Sequence, residues 1–178
     1  MDQDNCFLIE PVVSEQASDL SDLCLRIYPQ YFTYLWDDAG AWYMDYSYNA
    51  ARLKAELEDP NVRYFWAVSR GERVGYLKLN LTKELPLSNE QGGLEIERIY
   101  FLSEAAGQGL GTRLIDYAEA IARQQQKAYI WLHTMDSSQN SIAFYEKRGF
   151  GRVGETILPF SQMKPHLRRM WQMKKTLA

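Results

Sequence analysis

Leu94-Glu95-Ile96-Glu97-Arg98-Ile99-Tyr100-Phe101, then Gly107-Gln108-Gly109-Leu110-Gly111-Thr112-Arg113, then Ser141-Ile142-Ala143-Phe144-Tyr145-Glu146-Lys147-Arg148-Gly149-Phe150, are the segments that decide how this chain folds. The first mixes apolar and charged residues as a strand does. The second is a glycine-rich turn opening a helix whose Leu110, Leu114, Tyr117, Ala118 and Ile121 form one apolar stripe. Gly107, Gly109 and Gly111 are expected to adopt positive φ, and the first N–H groups of the helix, without intrahelical partners, converge beside its positive end. Such a turn cradles an anion. The third segment reads as a helix over 140–147 that delivers Tyr145 to a defined place, with Gly149 as its left-handed cap and Phe150 packing back. Cradle and phenol together read as a phosphate site beside a proton donor. Two familiar glycine templates fail on spacing. A dinucleotide fingerprint starting at Gly107 needs glycine where Thr112 stands, and a Walker loop needs Gly-Lys-Ser/Thr where the chain has Gly111-Thr112-Arg113.

Outward from this centre, residues 7–13 read as a strand, and Ser14 caps a helix carrying Leu20, Leu23, Cys24 and Ile27. Over 28–48 no clean period survives. Tyr28, Tyr31, Phe32, Tyr34, Trp36, Trp42, Tyr43, Tyr46 and Tyr48 crowd around Asp37, Asp38 and Asp45. Two readings stand side by side: an irregular connection packing aromatics on the core, and a wall suited to an ammonium group. A helix over 50–58 ends before Asp59-Pro60, and strands over 63–69 and 73–81 form a hairpin across Arg70-Gly71-Glu72. Further strands are expected over 94–102, 128–134 and 168–176. The order gives an α/β or α+β mixed sheet in one domain spanning 1–178.

With a formal charge of −3 and a pI near 5.5, the chain is a poor candidate for nucleic-acid binding. Its first residues lack a basic flank and long apolar run, and no later run could span a bilayer, so a cytoplasmic protein without a membrane partner is expected. Cys6 and Cys24 are too few for a disulfide framework or zinc site and read as buried thiols; no metal is expected.

The combined order of strand, Gly-x-Gly turn, helix, strand and Phe-Tyr-Glu-Lys-x-Gly-Phe resembles the GNAT superfamily of N-acetyltransferases, and within it the PaiA-type spermidine/spermine acetyltransferases. The resemblance implies a central, mostly antiparallel sheet flanked by helices, with strands splayed at the cofactor site. It also implies acetyl-CoA (coenzyme A) as cofactor. Gly107, Gln108, Gly109, Leu110, Gly111, Thr112 and Arg113 would hold its pyrophosphate, and the strand Ile99-Tyr100-Phe101 would align the pantetheine arm through its backbone. Ala106 replaces the Gln or Arg usual before the turn, and Ser138 replaces a usual Asn, with Asn140 close by; either could hydrogen-bond the arm.

Tyr145 would then protonate the thiolate leaving group. Glu97 matches the carboxylate that polyamine acetyltransferases carry on this strand. Glu95 points the same way if the strand is regular, and His133 stands where some members place a catalytic carboxylate. The competing roles are ion pairing with Arg98 for the glutamates and a structural one for the histidine. Tyr31, Tyr34, Trp36, Asp37, Asp38 and Asp45 would form the substrate wall, the aspartates holding a far ammonium. The expected activity is acetyl transfer to a small primary amine, a polyamine being favoured, with room for a homodimer. Alternatives are a protein N-terminus, an amino acid, an amino sugar, or a non-catalytic acyl-CoA-binding module.

Overall fold

A computed structural model describes residues 7–177 of the protein. Its sheet grows from the predicted hairpin. Strands β2 (Val62–Ser69) and β3 (Glu72–Asn80) are joined through Arg70 and Gly71, both at positive φ (52° and 80°), the turn whose twist matches a strand pair. β1 (Phe7–Pro11) adds to the outer edge of β2. β4 (Gly93–Phe101) pairs with β3, and β5 (Tyr129–Met135) runs parallel to β4. The tail strand β7 (Arg169–Thr176) lies between β5 and the edge strand β6 (Gly151–Ile157), giving the order β1-β2-β3-β4-β5-β7-β6. Among the described residues only the β4–β5 pair is parallel.

That pair controls everything else. Its ladder stops at Ile96 opposite Leu132, while β4 continues to Phe101 and β5 to Met135. Past Ile96 the two strands diverge, and the sheet is open between them.

Alternation along the strands sends side chains to two cores. Leu77, Leu79, Leu94 and Ile96 meet Leu110, Leu114, Ile115 and Ala118 of α4 (Leu110–Gln124) on one face. On the other, Tyr64, Trp66 and Tyr76 meet Leu20, Leu23 and Ile27 of α1 (Ala17–Ile27) and Leu53 of α3 (Ala50–Glu58). The aromatic segment before α3 consists of 3-10 turns at Tyr28–Gln30 and Thr33–Leu35 and then α2 (Ala41–Tyr48). The remaining helix, α5 (Gln139–Lys147), ends on Gly149 at φ 88° with Phe150 donating back to the Tyr145 carbonyl.

Three local expectations need correction or completion. Ser14 does not cap α1: residues Ser14–Gln16 form a 3-10 turn, and Gln16 Oε1 accepts from the Val13 N–H at 3.2 Å, so the α-helix starts at Ala17. β6 carries a weak signal in Gly151-Arg152-Val153-Gly154 because it is an exposed edge with little to bury. Cys24 is buried in α1, and burial pushes its thiol up to about 12, whereas Cys6 lies outside the described residues. No described helix is long and apolar enough to cross a membrane.

α3 starts where the sequence places it because Asn49 accepts from the Arg52 N–H at 2.9 Å. Asn49→Ala should lower stability by about 1 kcal/mol through loss of this cap, read as a shift of the urea midpoint at constant slope.

Candidate active site

The turn before α4 is the first part of the site. Gly107 and Gly109 sit at φ 76° and 75°, and a Cβ on either would meet open space, so glycine serves conformation there. Gly111 departs from the expectation. It lies inside the helix without positive φ, and an added Cβ would stand 3.4 Å from the Phe144 ring. No side chain caps the helix, and the N–H groups from Gly107 to Thr112 find no acceptor among the described residues. Arg113 leaves this set because its N–H closes onto the Gly109 carbonyl at 3.3 Å, and its guanidinium lies over Phe7. Gln108 turns its side-chain amide back to the Glu104 carbonyl at 3.1 Å. A run of unpaired N–H groups at a helix end is a site for an anion. It borders a groove of about 550 Å³ that Ile99, Phe101, Asn140, Phe144 and Tyr145 also line.

Tyr145 stands where this groove meets a second cavity of about 230 Å³, formed in the opening between β4 and β5. Phe144 and Phe150 hold its ring, with centroids 5.2 and 5.8 Å away. Its hydroxyl makes no hydrogen bond with a described residue, and burial raises its pKa above the ordinary tyrosine value. The group is a proton carrier at neutral pH, suited to donation. Glu97, Tyr100, His133 and Ser138 line the same cavity.

The setting of Glu97 depends on a bulge. Leu79 pairs with Ile96 and Lys78 with Arg98, which leaves Glu97 as an extra residue in β4. Glu95 and Glu97 consequently share Asn80 of β3 as a partner, and Arg98 comes up beside Glu97. Asn80 Nδ2 donates to Glu95 at 2.5 Å and to Glu97 at 2.7 Å, Lys78 Nζ reaches Glu97 at 2.8 Å, and the Arg98 guanidinium lies 3.6 Å from it. Lys78 also pairs with Glu56 at 2.9 Å, which accepts from the Tyr64 hydroxyl at 2.6 Å. Burial alone would raise the Glu97 pKa. The charges of Arg98 and Lys78, with hydrogen bonds from Lys78 and Asn80, reverse this and hold it down to about 2. Glu97 is therefore an ionised acceptor of hydrogen bonds, still partly open to the cavity with 27% of its side chain exposed.

The same depression fixes the sign of a pH effect. A carboxylate whose pKa falls on folding from 4.5 to about 2 contributes stability above the unfolded value and loses it as pH drops through that window. Glu56 and Glu95 are lowered in the same direction, against burial, by Arg98 and Lys78 in one case and by His133 and Lys83 in the other. The urea midpoint should fall between pH 5 and pH 3, and less so in Glu97→Gln.

His133 projects from β5 with Nδ1 3.7 Å from Glu95 Oε1 and Nε2 3.0 Å from the Thr156 hydroxyl, which also accepts from Gln172 at 2.9 Å. Both ring nitrogens face protein groups, an arrangement that orients the ring. The expected substrate wall is brought together only in part. Tyr31 lines the cavity. Tyr34 hydrogen-bonds Ser137 at 2.7 Å, and Trp36 is buried with Nε1 donating to the Tyr28 hydroxyl at 2.8 Å. Asp38 starts α2, accepting from the N–H groups of Gly40 and Trp42 at 2.9 and 2.7 Å. Asp37 donates its N–H to the Gln162 carbonyl at 3.1 Å, and Asp45 is exposed on α2. None of the three aspartates lines either cavity. Phe32, from the aromatic segment read as a candidate wall, lines it, as do Met135, Ser141 and Met170, which the sequence did not single out for the site. Met135 and Met170 belong to the core beside α1, and the opening between the strands brings them to the cavity wall.

This frame, a parallel strand pair parted over a helix-end anion site, has known relatives. Residues 22–150 match the model of the Acetyltransferase (GNAT) family, most of the chain, so the protein belongs to that family and is an N-acetyltransferase. The acetyl donor of the family is acetyl-CoA. The chain is 32% identical over 117 residues to an uncharacterized N-acetyltransferase in the pepI 3' region of Lactobacillus delbrueckii subsp. lactis, covering 66% of this chain and 68% of that one. It is 33% identical over 107 residues to the aminoalkylphosphonate N-acetyltransferase of Salmonella typhimurium, covering 60% and 68%. Its fold is similar to that of the PaiA N-acetyltransferase from Thermoplasma acidophilum, solved in complex with coenzyme A, with a TM-score of 0.73 at 15% identity over 96% of this chain and 99% of that one.

Proposed function

We propose that the protein transfers the acetyl group of acetyl-CoA to the primary amine of a small molecule bound between β4 and β5. The observation that carries this is the Tyr145 hydroxyl, without a hydrogen-bond partner among the described residues, in a cavity that holds ionised Glu97 and opens onto the N–H groups of the turn. The pyrophosphate lies on those N–H groups, and the pantetheine arm follows the β4 edge that β5 leaves unpaired. The amine approaches as an ammonium attracted to Glu97. A carboxylate with a pKa near 2 does not keep the proton, so it orients a water that carries the proton away. The neutral nitrogen attacks the thioester carbonyl, the C–N bond forms, the C–S bond breaks, and the departing thiolate takes the Tyr145 proton.

A polyamine, spermidine or spermine, is the acceptor the sequence favours, and its reacting end suits Glu97 and the aromatic walls Tyr31 and Tyr100. A second reading, an amine whose remaining group is uncharged, is favoured by the placement of Asp37, Asp38 and Asp45 away from the cavity. In either form residues 1–178 act as one domain in the cytoplasm, with room for a homodimer.

Thiol release from acetyl-CoA across a panel of amines tests the activity. Release with none of them, alongside tight acetyl-CoA binding, would leave a non-catalytic binding module. Glu97→Gln should lower kcat/KM roughly 10- to 100-fold and steepen its rise with pH, because more of the amine must arrive already neutral. An unchanged pH profile in that variant removes Glu97 from proton handling.

A further inference from the structure

Beside the cavity that holds Glu97 and Tyr145 lies a smaller one of about 100 Å³. The two share a wall, since Phe32, Tyr100, Met135 and Met170 line both. Beyond it stand Trp36, Tyr43 and Phe160: Trp36 stacks on Tyr43 at 4.9 Å, and both rings lie 5.8 Å from Phe160. The indole N–H of Trp36 and the Tyr28 hydroxyl are already bonded to each other. No carboxylate lines this space among the described residues. Behind it, the Arg98 guanidinium lies 4.9 Å from the Tyr48 ring, which packs 5.5 Å from Tyr28, and that guanidinium is already paired with Glu97 and Glu56.

We propose that this smaller cavity seats the tail of the acceptor, and that the acceptor is a primary amine bearing an uncharged alkyl or aryl group up to about phenyl size. The inference rests on the amine reading above and deepens its second form. An ammonium entering here would give up its water for aromatic faces alone, which offset only part of that loss, with no carboxylate to pair with. An apolar group loses nothing comparable and leaves water for aromatic and thioether surface. Met135, Met163 and Met170 supply flexible walls that adapt to its shape. Apolar cavities of about 150 Å³ accept benzene, so a space of about 100 Å³ takes a butyl chain as it stands, and a phenyl ring once its adaptable methionine walls shift.

The test compares ethylamine, butylamine, phenethylamine, 1,4-diaminobutane and spermidine as acceptors for the whole protein with acetyl-CoA. From ethylamine to butylamine, kcat/KM should rise roughly fourfold per methylene, the gain expected for burying each one. Phenethylamine should equal or exceed butylamine, and 1,4-diaminobutane should fall at least about tenfold below butylamine despite its similar length. Phe160→Ala opens the cavity from a half-buried position outside the Glu97 cavity and should flatten the series. Met170→Gln puts an amide in the shared wall and should lower butylamine relative to 1,4-diaminobutane; it serves if the first variant does not fold. A flat series in the wild type, or 1,4-diaminobutane or spermidine above butylamine, overturns the tail site and leaves N-acetylation standing. Absence of turnover with every amine overturns the amine reading, and this inference with it.

Discussion

Tyr145→Phe is expected to lower kcat by roughly 10- to 10⁴-fold while acetyl-CoA affinity stays within a few-fold of wild type, the upper end being typical of general acid catalysis. The ring keeps its contacts with Phe144 and Phe150, so packing survives and only the hydroxyl goes. Because that hydroxyl bonds no described protein group, its loss leaves no partner unsatisfied, and a kinetic defect cannot be assigned to a damaged network. Burial keeps the phenol protonated across the working range, so the defect should persist from pH 6 to pH 9. Turnover near wild type in single-turnover measurements, where chemistry sets the rate, would rule out Tyr145 as the proton donor.

The second large effect is on the cofactor. Gly109→Asp places a carboxylate at the helix end beside the unpaired N–H groups, and acetyl-CoA affinity should fall by about 10²-fold, a weakening of roughly 2.7 kcal/mol. Gly109→Asn is the matched control. It has nearly the same shape and tolerates a φ of 75° equally well, so the difference between the two variants isolates the charge. The Asp defect should also shrink as salt rises, since the carboxylate is exposed to solvent when the groove is empty. Calorimetry that finds equal acetyl-CoA affinity for the two folded variants would remove the pyrophosphate from this turn.

Much of this site was legible because its elements follow local rules. Arg70-Gly71 closes a hairpin by its own backbone conformation, Asn49 starts α3 by its own side chain, and Gly149 ends α5 by its own φ. The glycine turn and Tyr145 carry their chemistry in contiguous residues, so they could be found and numbered before any coordinates. The Glu95/Glu97 pair was found for a partly different reason. A regular strand predicts a shared face for them, but the structure reaches it through a bulge that also brings Arg98 to Lys78 and Glu97.

Asp38 shows how a local pattern can carry two meanings. Its residue type and aromatic neighbours suit an ammonium wall as well as a helix start, and the choice is made by the N–H groups of Gly40 and Trp42. Met135 and Met170 show the same limit from the apolar side, since nothing near them in sequence separates a core methionine from one that lines a cavity.

The sequence by itself determined most of the order of elements, the glycine turn ahead of α4, the position of Tyr145 on α5 and the family. Tertiary structure decided the setting of Glu97, because Lys78 and Asn80 reach it from β3 across a bulged register that no local pattern encodes. It also decided the shape of the acceptor site. That cavity exists because the β4–β5 ladder ends at Ile96 and Leu132, and where two strands part depends on what both carry and what packs against them.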